Sequence, residues 1–174
     1  GGLVVVNSNP VLNLLTITGN TANWGSGAIR ADNNSNMQII NCIIWDNSPS
    51  EFFFFNWIGS IMVSYTNLQN GESGLSNSEL GTIYWEEGNI DTDPLFNDPE
   101  NGDLTLQEGS PCVDAGTDFF VWEGDTLVNM SPDDYSGSAP DMGAYEYMGD
   151  ILPGDINDDG LINILDVVAL VNIV

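Results

Sequence analysis

The residues best suited to chemistry lie near the C-terminus, where oxygen-bearing side chains recur at fixed intervals over residues 155–166. A twelve-residue loop binds calcium through oxygens at its positions 1, 3, 5, 7, 9 and 12, with glycine at position 6 for the sharp turn. Gly160 occupies position 6 here. An acidic turn that merely precedes a helix is the alternative. The spacing favours one bound Ca²⁺, with the seventh position contributing a backbone carbonyl, and the predicted ligands are Asp155, Asn157, Asp159, Leu161, Asn163 and Asp166.

The surroundings of this loop carry a family resemblance. Gly154 precedes it, position 12 is Asp166 rather than the glutamate usual in an EF-hand-type loop, and an apolar run follows over residues 167–171. Over residues 154–174 the pattern resembles the first repeat of a type I dockerin. Dockerins have two loop–helix repeats, bind cohesin domains, and attach extracellular carbohydrate-active enzymes to scaffolds or cell surfaces. The resemblance implies a cohesin-like partner, or a second dockerin repeat, packed against the apolar helix predicted over residues 164–174.

The charge of the chain excludes several classes of function. Its 174 residues include 26 acidic residues, one basic residue (Arg30) and no histidine, which gives a formal net charge of −25. Such a chain cannot replace the counterions of a nucleic acid, and its side-chain charge alone cannot bind anionic lipid or polyuronate. Lysine and histidine, the usual bases, are absent. A strongly acidic surface favours a cation-rich setting, and both specific calcium use and high salt fit that setting.

The front half of the chain is repetitive. Three β-rich segments close with Asn20, Asn47 and Asn70, at intervals of 27 and 23 residues. A repeat of this length, with two or three short strands and no helical period, is typical of one coil of a parallel β-solenoid. Asn residues at the corners of such coils can stack and bond backbone groups that the turns leave unpaired. We therefore predict an all-β solenoid with these three residues at equivalent corners, and a β-sandwich is the alternative.

A second resemblance covers residues 1–147. Residues 41–47, Asn-Cys-Ile-Ile-Trp-Asp-Asn, resemble a coil of the right-handed parallel β-helix proteins of the pectin-lyase-like superfamily. The later segments 88–96, 102–106, 109–116 and 141–147 resemble the C-terminal end of secreted bacterial β-helix proteins with interchangeable surface-anchoring tails. The resemblance implies a right-handed parallel β-helix in an extracellular, surface-attached bacterial protein. The predicted division is β-helix coils over 1–87, a C-terminal cap over 88–149, and a partial dockerin-like calcium motif over 150–174.

Three further expectations follow from the sequence. Because it opens on Gly1 without a signal peptide and stops at Val174 within an apolar pattern, we expect an internal fragment of a longer protein. Cys42 and Cys112 both lie in apolar surroundings, and two buried thiols or one disulfide fit that pattern. Five aspartates are expected to cap backbone N–H groups in turns, with catalysis as the alternative: Asp91, Asp93, Asp103, Asp114 and Asp141.

Two functions compete for the β-helix. A polysaccharide lyase or glycoside hydrolase would need a strong base and cations, or a pair of carboxylates. Arg30 is the sole basic residue, and residues 30–32 read as a coil corner. A non-catalytic stalk or glycan-contacting surface would instead use exposed aromatic rings, with core packing as the alternative role. We favour the non-catalytic function, assign no catalytic residue, and take as candidates for contact with a polysaccharide Trp24, Trp45, Trp57 and Trp85.

Overall fold

A computed structural model of the chain describes residues 2–56, 58–75 and 81–149, together with Ile164. Within these residues short β-strands are joined by turns and by two 3₁₀ helices, Gly71–Leu75 and Pro99–Asn101. In chain order the strands are β1 (Leu3–Val6), β2 (Val11–Asn13), β3 (Thr16–Thr18), β4 (Ile29–Asp32), β5 (Asn36–Ile40), β6 (Ile43–Trp45), β7 (Phe52–Phe55), β8 (Ser60–Ser64), β9 (Asn67–Leu68), β10 (Thr82–Trp85), β11 (Phe96–Asp98), β12 (Asp103–Leu106), β13 (Phe119–Trp122) and β14 (Asp125–Asn129).

The first ten strands wind into coils with three faces. The first face joins β1, β4 and β7, the second joins β2, β5, β8 and β10, and the third joins β3, β6 and β9. All pairings within these faces are parallel, and the same register runs from coil to coil. The predicted parallel β-solenoid is thereby confirmed, with about three turns. The β-sandwich alternative is wrong, since a sandwich pairs its strands mainly antiparallel.

The chain turns between faces at residues in the left-handed backbone region. In the described coils, equivalent corner positions have φ values between 46° and 68°. A positive φ costs an ordinary L-residue about 1–2 kcal/mol, whereas Gly, and to a lesser degree Asn and Asp, adopt it readily. The sequence meets this demand at most corners. In the order of the three corners, the residues are Asn7, Asn33 and Asn56, then Leu14, Asn41 and Tyr65, then Gly19, Asp46 and Asn70.

The third corner carries an asparagine ladder. Asn20 donates both its backbone N–H and its side-chain Nδ2 to Asn47 Oδ1, each at 3.0 Å. Asn47 donates its own Nδ2 to two backbone carbonyls and to the buried carboxylate of Glu51. The register between β6 and β9, continued by two residues, places Asn70 beside Asp46. The predicted equivalence is confirmed for Asn20 and Asn47, while Asn70 lies at the same corner one position earlier.

Apolar side chains that stack from coil to coil fill the interior. Strand alternation sends every second residue inward, and the parallel register brings residues of like type together. Burying one such aliphatic or aromatic side chain contributes about 1.5–3 kcal/mol. Leu75, at the end of the first 3₁₀ helix, is buried in the same cluster. The ladders are Leu3–Ile29–Phe52, Val5–Ala31–Phe54, Leu12–Ile39–Val63–Trp85, Met37–Ile61–Ile83 and Ile17–Ile44–Leu68.

The second half of the chain packs on the outer sides of the second and third faces. Ile39 belongs to the interior, but its neighbour Ile40 packs with Met62 against Val128 of the hairpin β13–β14. On the third face, Ile43 packs against the hairpin β11–β12 and the turns that follow it. Ile40, Met62 and Ile43 are outward residues of these two faces that the chain itself buries.

Asn41 fastens the second half to the solenoid. Its Oδ1 accepts the backbone N–H of Thr117 at 2.8 Å, and its Nδ2 donates to the Thr117 carbonyl at 2.9 Å. Its own carbonyl accepts the N–H of Gly143 at 2.8 Å. Gly143 has φ +100°, and a Cβ there would lie 2.8 Å from side-chain atoms of Ile43 and Thr16. Glycine at 143 thus lets the chain approach the third face closely.

The two cysteines match one of the two states predicted for them. Cys42 and Cys112 are both buried as free thiols, so the buried-thiol alternative is confirmed. Burial raises the pKa of Cys42 to about 12 and that of Cys112 to about 11, which makes either thiol a poor nucleophile.

Ile164, in the predicted terminal helix, has a helical backbone and is 70% exposed. The right-handed winding, the boundaries 1–87, 88–149 and 150–174, and the capping role of 88–149 stay predictions.

We expect Asn41→Ala to lower the free energy of unfolding by about 2–4 kcal/mol. About 1–2 kcal/mol comes from the left-handed backbone at φ 52°. The rest comes from the bonds to Thr117, at about 1 kcal/mol each. Urea denaturation followed by circular dichroism measures the loss.

Two control variants separate these contributions. Asn41→Gly keeps the backbone conformation and loses only the side-chain bonds, so it should be less destabilising than Asn41→Ala. Asn33→Ala, at the exposed first corner with φ 56°, should lose about 1 kcal/mol. A stability of Asn41→Ala equal to that of Asn33→Ala would contradict the fastening role of Asn41.

Candidate functional site

Within the described residues, the first face is the face on which neither hairpin packs. Its outward side chains form two rows across β1, β4 and β7. Val4 and Val6, at the β1 end of these rows, are 59% and 46% exposed. Apolar side chains in register on an uncovered sheet face are typical of interaction sites rather than of a solvated sheet. The first row is Val4, Arg30 and Phe53, and the second is Val6, Asp32 and Phe55.

Trp24 lies over this face from the connection between β3 and β4. Its ring meets Phe53 edge-on at 4.9 Å between centroids and Phe55 at 6.1 Å. Trp24 nevertheless keeps 62% of its surface exposed, and Phe55 keeps 41%. Edge-to-face contacts hold the three rings in one arrangement while their outer surfaces stay accessible. We call the set Trp24, Arg30, Asp32, Phe53 and Phe55 the Trp24 surface.

The chain's sole cation lies at the centre of the Trp24 surface. Arg30 donates from Nε to Asp32 Oδ1 at 2.7 Å, and its Nη2 lies 2.7 Å from Asp32 Oδ2. The guanidinium carbon is 5.2 Å from the Trp24 centroid and 5.1 Å from the Phe55 centroid. The bond to Asp32 raises the pKa of Arg30, so the group stays charged. This two-pronged pair is the stronger and more directional kind of ion pair.

The position of Arg30 corrects the sequence interpretation. Residues 30–32 were expected at a coil corner, but they lie in strand β4 and the corner follows at Asn33. As a result Arg30 and Asp32 point to the same side of the sheet, two residues apart. Both Asp32 oxygens engage Arg30, and the guanidinium cannot act as a base. The Trp24 surface is therefore suited to binding by stacking and hydrogen bonding.

The candidate tryptophans do not form one strip. Trp45 packs at the third face among the residues of the second half, and Trp85 packs into the interior cluster. Trp57 lies outside the described residues. Core packing is confirmed for Trp45 and Trp85, and exposure is confirmed for Trp24. The sequence interpretation missed Phe53 and Phe55, although the 23-residue interval between Asn33 and Asn56 aligns them with Arg30 and Asp32.

The five aspartates predicted to cap turns do so. Each accepts at least one backbone N–H, and none of the five needs a catalytic explanation. Asp114 accepts from residues 138 and 139, and Asp141 accepts from Asp114 and Tyr147. The other caps are Asp91 to Asn70, Asp93 to Leu95 and Asp103 to Thr105.

An open cleft of about 550 Å³ separates the third corner from the hairpin β11–β12. Asp46 and Glu100 both line it, so it is a place where paired-carboxylate hydrolysis could be sought. Both residues are exposed, whereas the general acid of a glycosidase is usually held protonated by burial. Neither of these two carboxyl groups is buried in that way.

The predicted calcium ligands, at positions 155–166, lie outside the described residues. Across the described ranges, no group of three or more His, Cys, Asp or Glu side chains is arranged to hold a metal ion. In those ranges, too, no helix is long and apolar enough to cross a membrane.

Comparison of the chain with protein-family models, with curated proteins and with solved structures found no match. The structure thus confirms that the chain forms a parallel β-solenoid, and it confirms no finer part of the β-helix resemblance. Membership of the pectin-lyase-like superfamily and the dockerin-like identity of the tail stay predictions that rest on the residues quoted for them.

Two buried carboxyl groups predict an unusual dependence of stability on pH. Burial raises the pKa of Glu51 above its usual 4.5 and that of Asp141 above its usual 3.8. Folding therefore favours their protonated forms, and the folded chain binds more protons than the unfolded chain between the raised and the usual values. We expect the free energy of unfolding in urea to rise as pH falls from 7 towards about 4.5. One group contributes at most about 1.4 kcal/mol per pH unit.

Matched variants isolate these groups from general charge repulsion. Glu51→Gln and Asp141→Asn should each flatten the pH dependence, because each removes a group whose pKa is raised. Glu108→Gln, at an exposed position, removes the same charge and should leave the slope nearly unchanged. The lowered pKa of Asp103, caused by its bonds to Thr105, acts below pH 3.8 and outside this window. Equal slopes in Glu51→Gln, Asp141→Asn and Glu108→Gln would rule the explanation out.

Proposed function

We propose that this chain is part of an extracellular bacterial β-helix protein that serves as a non-catalytic stalk or glycan-contacting surface. A calcium-binding dockerin-like repeat attaches it to a cohesin-like or cell-surface partner. The observation that carries the proposal is the calcium-loop spacing of residues 155–166 directly behind a parallel β-solenoid. The alternative, a β-helix polysaccharide lyase or glycoside hydrolase, has no observation in its favour among the described residues.

The chemistry of the loop supports calcium binding. Asp155, Asp159 and Asp166 carry three carboxylates within twelve residues, and their mutual repulsion is relieved when a cation lies between them. The shorter Asp at position 12 still supplies an oxygen that anchors the first turn of the following helix. Magnesium is a poor substitute, because it needs a tighter octahedron and retains its waters.

The solenoid supports a structural function. Its interior is a stack of ladders in which each coil pairs with its neighbours, so that the fold extends in one direction. The strong negative charge also fits a calcium-rich or saline setting. A chain with one Arg, already paired with Asp32, lacks the base and the cations that uronate lyases need.

The calcium assignment predicts one site per chain. Isothermal calorimetry of the 174-residue chain in about 0.15 M salt, where exposed charges are largely screened, should show one Ca²⁺ bound. Asp155→Ala and Asp166→Ala should each weaken affinity at least tenfold, since each removes a ligand.

Asp158→Ala is the matched control, because position 4 of the loop does not coordinate the ion and the substitution removes the same charge. It should stay within about twofold of the wild type, a difference below 0.5 kcal/mol. Equal affinities of the wild type and Asp155→Ala would refute the assignment.

A further inference from the structure

We propose that the Trp24 surface is the place where this protein contacts a glycan, and that it selects uncharged sugars. The inference rests on the proposed glycan-contacting function and adds the site and the class of ligand. A pyranose ring has one face made largely of C–H groups, which packs on the face of an aromatic ring, and hydroxyl groups around its rim. A binding site for such a ligand therefore needs exposed aromatic rings beside polar side chains that are held in place.

The aromatic part of the surface is preorganised. Phe53 and Phe55 belong to β7, whose backbone is paired with β4 along its whole length. Trp24 meets both rings edge-on, so its indole is braced at one side and exposed at the other. A ligand that stacks on Trp24 does not need to order these side chains first, which lowers the entropic cost of binding.

The polar part of the surface is an ion pair held in one geometry. Arg30 and Asp32 are joined by two contacts of 2.7 Å, and the guanidinium also lies against the rings of both Trp24 and Phe55. The side chain of Arg30 is 30% exposed, so donors that do not face Asp32 can reach solvent. Directional donors beside a stacking ring fix the orientation of a hydroxyl-bearing ligand.

Charge decides between uncharged and anionic sugars. The positive charge of Arg30 is balanced by Asp32, so the Trp24 surface has no net charge. The rest of the chain is strongly negative, and its field repels a polyuronate at low and moderate salt. An uncharged polysaccharide meets neither obstacle. The surface therefore fits a neutral glycan better than a pectate or an alginate.

The described part of the surface is narrow. Its three strands lie about 4.8 Å apart, and its two outward rows lie about 7 Å apart. These spacings match the dimensions of sugar rings, and we propose a glycan as the occupant rather than a second copy of the chain.

Affinity electrophoresis of the 174-residue chain tests the proposal. The gels contain a neutral polysaccharide, either xyloglucan or galactomannan, or the anionic polygalacturonate, and binding to insoluble cellulose is measured by sedimentation. We expect retardation by at least one neutral polysaccharide and none by polygalacturonate. Trp24→Ala should weaken that binding at least tenfold, the scale of one stacking contact, and Phe55→Ala should weaken it to a lesser degree.

Phe119→Ala is the matched control, because Phe119 is an exposed strand phenylalanine, at 57%, on the hairpin β13–β14. It should bind like the wild type. Circular dichroism checks that each variant is folded. If the wild type binds a neutral glycan and Trp24→Ala binds it equally well, this placement is overturned while the glycan-contacting function stands.

Three other outcomes also overturn the proposal. If the wild type binds none of these polysaccharides, the glycan-contacting function itself fails, whatever the calorimetry shows for calcium. If gel filtration reveals a dimer that Trp24→Ala dissociates, and no glycan binds, the occupant is a second copy of the chain. Retardation of the wild type by polygalacturonate at least as strong as by the neutral polymers would refute the selection for uncharged sugars.

Discussion

A backbone constraint at the corners underlies the whole structure. Each coil must change direction three times within about 25 residues, and it does so at residues with positive φ. These sharp turns keep the register constant, and the register in turn brings like side chains into ladders. At the second and third corners Asn side chains also satisfy backbone groups, as Asn41 does for Thr117 and Asn47 for the carbonyls of neighbouring strands. The corners and the core packing therefore depend on each other, because a change in the backbone at one corner shifts the register of every ladder that follows.

The same stacking explains where the charges lie. Residues about 4.8 Å apart on adjacent coils would repel if both were acidic. The first 70 residues contain three of the 26 acidic residues, which leaves 23 for the rest. Of the three, Asp32 pairs with Arg30 and Glu51 accepts two bonds from Asn47, so that only Asp46, at an exposed corner, depends mainly on solvent. Beyond the coils, carboxylates of the described residues cap turns instead. The small number of acidic residues in the first three coils is consistent with the coil geometry.

The sequence was sufficient for the parallel coils and insufficient for the surface. The spacing of Asn20 and Asn47 and the absence of a helical period predicted the parallel coils, because repetition and strand propensity are local properties of the sequence. The assignment of residues 30–32 to a corner was wrong, because Asp32, Asn33 and Asn34 are all turn-forming residue types, and the backbone with positive φ begins only at Asn33. Phe53 and Phe55 were missed because a run of four Phe reads as core, and strand alternation, which turns Phe52 and Phe54 inward and the other two outward, becomes visible only once the coil is aligned.

The first face differs from the other two because neither hairpin packs on it. The hairpins of the second half bury Ile40, Ile43 and Met62, so the outward apolar residues of those faces serve stability. On the first face, within the described residues, the connection that carries Trp24 contacts two Phe rings and Arg30 without burying them. Leaving such rings in water forgoes about 25 cal/mol for each Å² that could have been buried. The described part of the fold thus buries Ile40, Ile43 and Met62 on two faces and leaves Trp24 and Phe55 exposed on the third.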